Sequence, residues 1–222
     1  MVGGKNPGES PSPHASCATS GRSYTRMSLA LFDFDGTITF KDSFGDFIAY
    51  AVGRSRFIAG IVLLSPMVLA HAVGFVPNWR AKELVSTYFF RGWDVPGFIG
   101  LASKYSRERL PGIVREVALE KIKWHKLRGD KVVVVSASID LWLADWCGLH
   151  DLDLIATKLE TRDGLVTGRF LTRNCSGKEK VRRIEEQYDL KSFDYIYAYG
   201  DTPGDRAMLD LANEKYYKWK RV

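Results

Sequence analysis

The most constraining feature of the sequence is an apolar run that ends in two aspartates at a glycine. Residues 29–32 read Leu-Ala-Leu-Phe, and Asp-Phe-Asp-Gly-Thr follows at residues 33–37. A continuous apolar run bounded by a turn residue predicts a buried strand. Alternation along an extended chain points Asp33 and Asp35 to one face, where two like charges require a stabilising cation. Carboxylate oxygens suit Mg²⁺, although Asp-Gly alone is equally typical of an ordinary turn.

The segment at residues 33–37 resembles the first motif of the haloacid dehalogenase superfamily of phosphohydrolases, which is Asp-x-Asp-Gly-Thr after a hydrophobic strand. The resemblance implies that Asp33 is the nucleophile that takes the phosphoryl group. It implies that Asp35 protonates the leaving alcohol and later deprotonates the attacking water. Both aspartates are expected at a Mg²⁺ site whose other ligands lie elsewhere in the chain.

Length and composition describe an ordinary globular protein. With 222 residues, of which 45% are hydrophobic and 26% charged, the chain can bury one core or a core plus a small accessory domain. The net charge of +6 suits a phosphorylated substrate or an anionic membrane surface, and we expect no nucleic acid partner. Cys17, Cys147 and Cys175 are scattered, which predicts a reducing, cytoplasmic location without disulfides.

The chain divides by composition into a tail, a core and an insertion. Residues 1–28 are rich in Gly, Ser and Pro and predict a disordered tail, with Met27 as the natural start or a transit peptide as the alternative. Residues 29–40 and 112–222 are expected to form the catalytic core. Residues 41–111 predict a helical cap, because in the phosphoserine-phosphatase-like branch such an insertion covers the active site.

One segment of the predicted cap is apolar enough to contact lipid. Residues 57–76 contain no charged residue if His71 is neutral, and we expect His71 to be packed. Pro66 and nearby glycines divide the segment, so a membrane-inserted helix, a buried hairpin and an interfacial segment all remain open. Flanking arginines would suit lipid head groups, and we favour contact with the inner face of a membrane.

A second polar site follows four consecutive valines. A predicted helix at residues 112–128, with helical periodicity through Ile113, Val117, Leu119, Ile122 and Leu127, leads to a central parallel strand at residues 132–135. The hydroxyl of Ser136 ends that strand, where ligands bind in open α/β sheets. The superfamily resemblance assigns Ser136 to phosphate binding, and Ser138 is expected to cap a helix that begins at Ile139.

A lysine in the next predicted helix completes the charge balance. The resemblance implies a lysine that neutralises the phosphate and keeps the nucleophile ionised. Lys180 fits the Gly-x-x-Lys-Val pattern of relatives, whereas Lys178 fits the spacing of some phosphoserine phosphatases. We favour Lys180 and keep Lys178 as the alternative. Asp42, in the predicted cap, lies where that branch carries an acidic residue that contacts substrate, although it could equally be a solvated loop carboxylate.

The final strand predicts the remaining metal ligands. Gly-Asp-Thr-Pro-Gly-Asp follows it at residues 200–205 and resembles the fourth superfamily motif. The resemblance implies that Asp201 binds Mg²⁺ and that Asp205 supports the site. Phosphoserine phosphatases commonly carry Asn before the second aspartate, whereas this chain has Gly204, which weakens phosphoserine as the substrate.

Together these features predict one fold and one reaction. The fold is a doubly wound, mostly parallel, Rossmann-like α/β sheet with an inserted helical cap, and a hairpin is predicted around Asp163-Gly164. The reaction is Mg²⁺-dependent hydrolysis of a phosphomonoester, with a phospholipid head-group phosphate as the substrate by resemblance to phosphatidylglycerophosphatase-type members. A small soluble ester, such as histidinol phosphate or phosphoserine, is the alternative. A non-catalytic relative that binds phosphate or a partner is a further alternative.

Overall fold

The computed structural model describes Met1 and residues 27–222, without the side chains of Val68, Ala70, His71 and Ala72. The predictions for His71, for Cys17 and for the tail up to residue 26 therefore lie outside the described residues. Cys147 and Cys175 are buried free thiols, as expected of a chain without a disulfide framework.

The central sheet has the mostly parallel order that the sequence predicts. The strand order is β3-β2-β1-β6-β7-β8. Among the described strands of this sheet, only the β7–β8 pair is antiparallel. The strands are β1 (Ser28–Phe32), β2 (Lys131–Ile139), β3 (Asp153–Thr157), β6 (Tyr195–Gly200), β7 (Glu214–Tyr217) and β8 (Lys220–Arg221). A separate hairpin is formed by β4 (Leu159–Arg162) and β5 (Leu165–Phe170) around Asp163-Gly164, as predicted. Strand β1 lies between β2 and β6 and is fully buried, which explains its continuous apolar run.

Helices cover both faces of this sheet. They are α1 (Ser43–Val52), α2 (Arg54–Leu63), α3 (Ser65–Ala72), α4 (Asn78–Phe90), α5 (Val95–Glu108), α6 (Glu116–Leu127), α7 (Ala144–Leu149), α8 (Lys178–Gln187) and α9 (Arg206–Leu209). Ile184 of α8 and Met208 of α9 pack with Leu29 and Leu31 on one face. On the other face, helices from the segment between β1 and β2 pack with Phe32 and Tyr199, together with α6 and α7. The doubly wound α/β prediction is therefore confirmed.

Helices α1–α5, here called the inserted helices, lie between β1 and β2 as the sequence predicts. Phe47 is at the centre of their packing, with its ring 4.5 Å from that of Trp142 and 5.2 Å from that of Tyr105. The exact division into a cap at residues 41–111 and a core stays a prediction.

The apolar segment at residues 57–76 forms two short helices rather than one. Helix α2 ends at Leu63, and α3 begins at Ser65, next to Pro66. No helix of the described residues is long and apolar enough to cross a membrane. The segment is not a fully buried hairpin, because six large apolar side chains remain 60–84% exposed: Ile58, Val62, Leu63, Leu69, Val73 and Phe75.

The helix predicted before β2 is present with different bounds and a different buried face, and the prediction that Ser138 caps a helix is wrong. Helix α6 begins at Glu116, and Val117, Leu119 and Leu127 are exposed, because Ala118, Ile122 and His125 form its buried face instead. Ser138 does not cap a helix at Ile139, because β2 continues through Ile139 and keeps Ser138 in extended backbone.

His125 is buried in a polar chain beneath the sheet. Its Nδ1 lies 2.7 Å from Asp130 Oδ2, and its Nε2 lies 2.9 Å from the hydroxyl of Tyr199. Burial lowers the pKa of His125 to about 4, although Asp130 opposes the shift. The neutral imidazole can donate to Asp130 and accept from Tyr199 at the same time, so both ring nitrogens are satisfied.

We predict that His125 makes stability depend on pH below neutrality. The unfolded imidazole has a pKa near 6.5 and the folded one a pKa of about 4, so between these values only the unfolded chain takes the proton. The free energy of unfolding should fall by about 1–2 kcal/mol between about pH 7.5 and about pH 5 because of this group.

Urea unfolding of wild type and of His125→Gln at both pH values measures the effect. Other titrating groups are common to the two proteins and cancel in the comparison. An identical pH dependence in both proteins would rule out His125 as the source.

Candidate active site

The strand order brings three predicted motifs to one edge of the sheet. Strands β2, β1 and β6 are neighbours, and their carboxyl ends carry Ser136, Asp33 and Asp201 respectively. The ladder continues one residue past β1, because the backbone N–H of Asp33 donates to the Tyr199 carbonyl at 2.9 Å. This bond fixes the backbone of Asp33 beside the loop after β6.

Lys180 is buried among the carboxylates of two strands. Its Nζ donates to Asp33 Oδ1 at 2.5 Å, to Asp205 Oδ1 at 2.8 Å and to the Val135 carbonyl at 2.6 Å. Two carboxylates raise its pKa above the usual range despite burial, so Lys180 stays an ammonium group. Lys178, the alternative, is exposed at the start of α8. The structure therefore places Lys180, and not Lys178, against the predicted nucleophile.

Asp33, Asp201 and Asp205 form a cluster of the kind that holds a metal ion. One carboxylate oxygen from each lies within 4.8 Å of the others. Burial and the charge of Asp205 raise the pKa of Asp33 to about 7 against the opposing effect of Lys180. Burial and Asp205 also raise the pKa of Asp201. Lys180 alone thus leaves the cluster short of positive charge, and an oxygen-only donor set of this kind fits Mg²⁺.

Asp205 is oriented by the loop that carries Asp201. Its Oδ2 accepts from the backbone N–H of Thr202 at 2.9 Å, from the Thr202 hydroxyl at 2.8 Å and from the Asp201 N–H at 3.2 Å. Burial raises the pKa of Asp205, but Lys180 and these hydrogen bonds bring it below its usual value. Asp205 is therefore an ionised and fixed member of the cluster.

Gly36 allows the loop after β1 to approach Asp201. It has φ of 86°, and a Cβ at this position would lie 2.2 Å from Asp201 Oδ2. The hydroxyl of the next residue, Thr37, donates to Asp201 Oδ1 at 3.2 Å. The glycine is required here because any side chain would displace a predicted metal ligand.

Asp35 faces a different set of groups from Asp33. Its Oδ1 accepts from the Ser43 N–H at 2.6 Å, and its Oδ2 accepts from the Ser138 hydroxyl at 2.5 Å. Burial and the charge of Asp42 raise the pKa of Asp35, while Lys82 opposes the shift. A raised pKa suits a proton donor. The carboxylate cluster does not include Asp35, whose predicted role as a metal ligand stays a prediction.

The other predicted residues lie around this centre. Ser136 is fully buried, and its Oγ accepts from the Ser138 N–H at 3.0 Å. Asp42 caps α1, because its Oδ1 accepts from the Gly45 N–H at 2.9 Å, and it remains exposed beside Asp35. The predicted roles of Ser136 in phosphate binding and of Asp42 in substrate contact stay predictions.

Sequence reasoning missed several residues that hold the site together. Ser138, expected to cap a helix, donates to Asp35, and its own oxygen accepts from the Ser43 hydroxyl at 3.1 Å. The charge of Lys82, which lies on α4 of the inserted helices, counteracts the rise in the pKa of Asp35. No motif marks Ser43 or Lys82, because their positions depend on how the inserted helices fold back over β1. Ser138 was detectable, since the alternating pattern after Val135 is compatible with a longer strand.

Comparison with known proteins supports the resemblance. A family model of haloacid dehalogenase-like hydrolases matches residues 30–210. The protein CicA of Caulobacter vibrioides is 35% identical over 195 residues, covering 86% of this chain and 85% of CicA. A probable phosphatase of Mycobacterium tuberculosis is 30% identical over 192 residues, covering 82% of this chain and 65% of that protein.

The fold is also similar to that of a solved phosphoserine phosphatase, determined as a phospho-aspartyl intermediate analogue. That structure has a TM-score of 0.56 and 24% identity, with 86% of each chain covered. The similarity shows that the two proteins share a fold. The match over residues 30–210 establishes that the chain belongs to the haloacid dehalogenase-like hydrolase family.

Proposed function

We propose that this chain is a Mg²⁺-dependent phosphatase that hydrolyses phosphomonoesters through an aspartyl-phosphate on Asp33. The observation that carries the proposal is the buried contact of Lys180 with Asp33 and Asp205, beside the cluster that Asp201 completes. The phosphatase assignment of the Mycobacterium relative and the phospho-aspartyl form of the phosphoserine phosphatase agree with it. The complete constellation counts against a non-catalytic relative.

In the first step, a carboxylate oxygen of Asp33 attacks phosphorus, and the bond between phosphorus and the alcohol oxygen breaks. Asp35 gives its proton to that oxygen, so the alcohol leaves neutral. Lys180 favours the ionised form of Asp33, and we assign the binding of phosphate oxygens to the Ser136 hydroxyl and to the start of α8.

In the second step, water attacks the phosphorus of the aspartyl-phosphate, and Asp35 takes the proton of the water. The bond from phosphorus to Asp33 breaks, which regenerates the carboxylate and releases phosphate. Asp33, Asp201 and Asp205 would hold Mg²⁺, which supplies positive charge next to the transferring group when bound. The hydrogen bonds from Ser43 and Ser138 hold Asp35 in place during both proton transfers.

The surface of the inserted helices favours a lipid-borne substrate over a small soluble one. The exposed apolar side chains of α2, of α3 and of the residues just after α3 leave apolar surface in contact with water, which is unfavourable. Residues 47–82 contain no Asp or Glu but include Arg54, Arg56, Arg80 and Lys82. An apolar face with basic flanks is complementary to a bilayer that contains anionic lipids. Phosphoserine and histidinol phosphate remain the soluble alternatives.

Lys180 and Lys178 provide a matched pair of variants. Lys180→Met should lower kcat on the order of 10²–10³-fold or more, because it removes the charge beside Asp33. Lys178→Met should stay within about threefold of wild type, because Lys178 is exposed. Steady-state hydrolysis of p-nitrophenyl phosphate, with circular dichroism to verify folding, measures both. Equal losses in the two variants would contradict the assignment of Lys180.

The proposed chemistry also predicts a dependence on Asp33 and on the metal. Asp33→Asn should lower activity on the order of 10³-fold or more, because an amide is a poor nucleophile for phosphorus. Chelation with EDTA should abolish activity, and added Mg²⁺ should restore it. Phosphate release is measured across lipid and soluble phosphomonoesters.

Two results would reject this proposal. One is a wild-type protein that releases no phosphate from any ester in the presence of Mg²⁺. The other is an Asp33→Asn protein with full activity. Asp189→Asn is the control, since this aspartate lies on the surface after α8 and its replacement should have no effect.

Lipid contact predicts co-sedimentation with vesicles that contain phosphatidylglycerol. The double variant Leu63→Glu/Phe75→Glu should bind at least about tenfold more weakly, because two exposed apolar side chains no longer enter the interface. The matched control is Leu127→Glu/Leu149→Glu, which changes equally exposed leucines outside the inserted helices. A wild-type protein that stays in the supernatant would refute lipid contact without affecting the phosphatase proposal.

A further inference from the structure

The turn between β7 and β8 places two bulky residues in a backbone conformation that favours glycine. Lys218 has φ of 51° and Trp219 has φ of 63°, both in the left-handed region. The β4–β5 hairpin has the same pair of positive angles, 52° and 77°, but uses Asp163 and Gly164, which adopt them readily. The chain thus keeps a lysine and a tryptophan where Asn-Gly or Asp-Gly would be more stable.

This turn contacts both strands that carry the active-site aspartates. The backbone N–H of Lys218 donates to the Gly200 carbonyl at 2.9 Å, directly before Asp201. The indole N–H of Trp219 donates to the Thr37 carbonyl at 3.2 Å, in the loop after β1. The Trp219 ring centre lies 5.7 Å from that of Tyr199. The turn therefore bridges the two loops at the centre of the site.

The contact at Thr37 leads directly to the carboxylate cluster. Thr37 is 2% exposed, and its hydroxyl donates to Asp201 Oδ1 at 3.2 Å. The backbone of Gly36 packs directly against the Asp201 carboxylate, with no room for a Cβ atom between them. A shift of the Thr37 backbone would therefore move Asp201 relative to Asp33, because the loop and the carboxylate are in direct contact.

Aromatic packing alone does not require the tryptophan. A phenylalanine ring could also pack against Tyr199, without the indole N–H. The hydrogen bond to Thr37 is the property that phenylalanine lacks. Backbone strain that persists next to a functional site is itself an indication that the strained residues serve that site.

We infer that the β7–β8 turn positions the loop at residues 34–38, with Trp219 as a positioning residue that acts through Thr37 on Asp201. Trp219 contacts the Thr37 carbonyl and the Tyr199 ring, so it acts on the carboxylate cluster through the loop. Its N–H sets the distance between Asp33 and Asp201, on which Mg²⁺ affinity and turnover both depend. The turnover part of this inference rests on the proposed function, whereas the Mg²⁺ part is measurable without any substrate.

The decisive variant is Trp219→Phe, which keeps an aromatic ring and removes the N–H. The half-saturating Mg²⁺ concentration, measured by the rise in melting temperature, should increase by roughly two- to tenfold. The kcat for p-nitrophenyl phosphate at saturating Mg²⁺ should fall by a similar factor, with little change in KM. The control is Trp124→Phe. Trp124 lines a surface groove together with Trp219 and Tyr199, but its indole makes no hydrogen bond in the described part of the chain.

A second variant separates positioning from stability. Lys218→Asn/Trp219→Gly should form the turn with less strain, which offsets part of the packing lost with the Trp219 ring, and its metal-free melting temperature is measured beside its Mg²⁺ affinity. The double variant should nevertheless lose Mg²⁺ affinity. Lys218→Asn alone should retain most of that affinity, so the comparison separates the effect of the lysine charge from that of the tryptophan.

The inference is overturned if Trp219→Phe matches wild type in Mg²⁺ affinity or if the double variant retains it. It is also overturned if Trp219→Phe loses Mg²⁺ affinity only in parallel with its metal-free melting temperature. A wild-type protein that Mg²⁺ does not stabilise would refute the proposed metal site and this inference together. Normal Mg²⁺ stabilisation without hydrolysis would refute the proposed function alone.

Discussion

The buried ammonium of Lys180 allows carboxylates from two strands to lie together inside the protein. Asp33 follows β1, Asp205 follows β6, and the Val135 carbonyl belongs to β2, so one side chain from α8 joins the ends of three neighbouring strands. Removing a carboxylate from water is costly unless charge and hydrogen bonds replace the lost hydration. Replacing Lys180 by an apolar residue would leave Asp33 and Asp205 without a cation. The arrangement of the side chains at the carboxyl ends of these strands therefore depends on this contact.

Buried ion pairs stabilise proteins only weakly in net terms, so stability does not explain why this one is present. A nucleophilic carboxylate must be shielded from water and still ionised, and these demands conflict because burial raises its pKa. The pKa of Asp33 is about 7 even beside Lys180. A second cation at the cluster with Asp201 resolves the conflict, which is why the proposed chemistry requires metal and lysine together.

The sequence predicts the parts of the site that follow strands, and misses those that depend on folding of the insertion. Runs of apolar residues located β1, β2 and β6, and the parallel order brings the residues after them to one edge. The choice between Lys178 and Lys180 required the structure, because a helix start does not determine which lysine faces inward. His125 was missed as a core residue because its ring nitrogens are satisfied by Asp130 and by Tyr199, and Tyr199 lies 74 residues away in the sequence.

The inserted helices connect the proton donor with the surface that would meet the substrate. Asp35 is held by Ser43 at the start of α1, and burial and the charge of Asp42 raise its pKa while Lys82 of α4 opposes that shift. In the proposed mechanism, the alcohol that Asp35 protonates would therefore leave next to these helices. The same insertion carries the apolar face of α2 and α3. In the proposed mechanism, selection of the alcohol would consequently belong to the insertion, while the carboxyl ends of the strands would bind only the phosphoryl group, which is the same in every phosphomonoester.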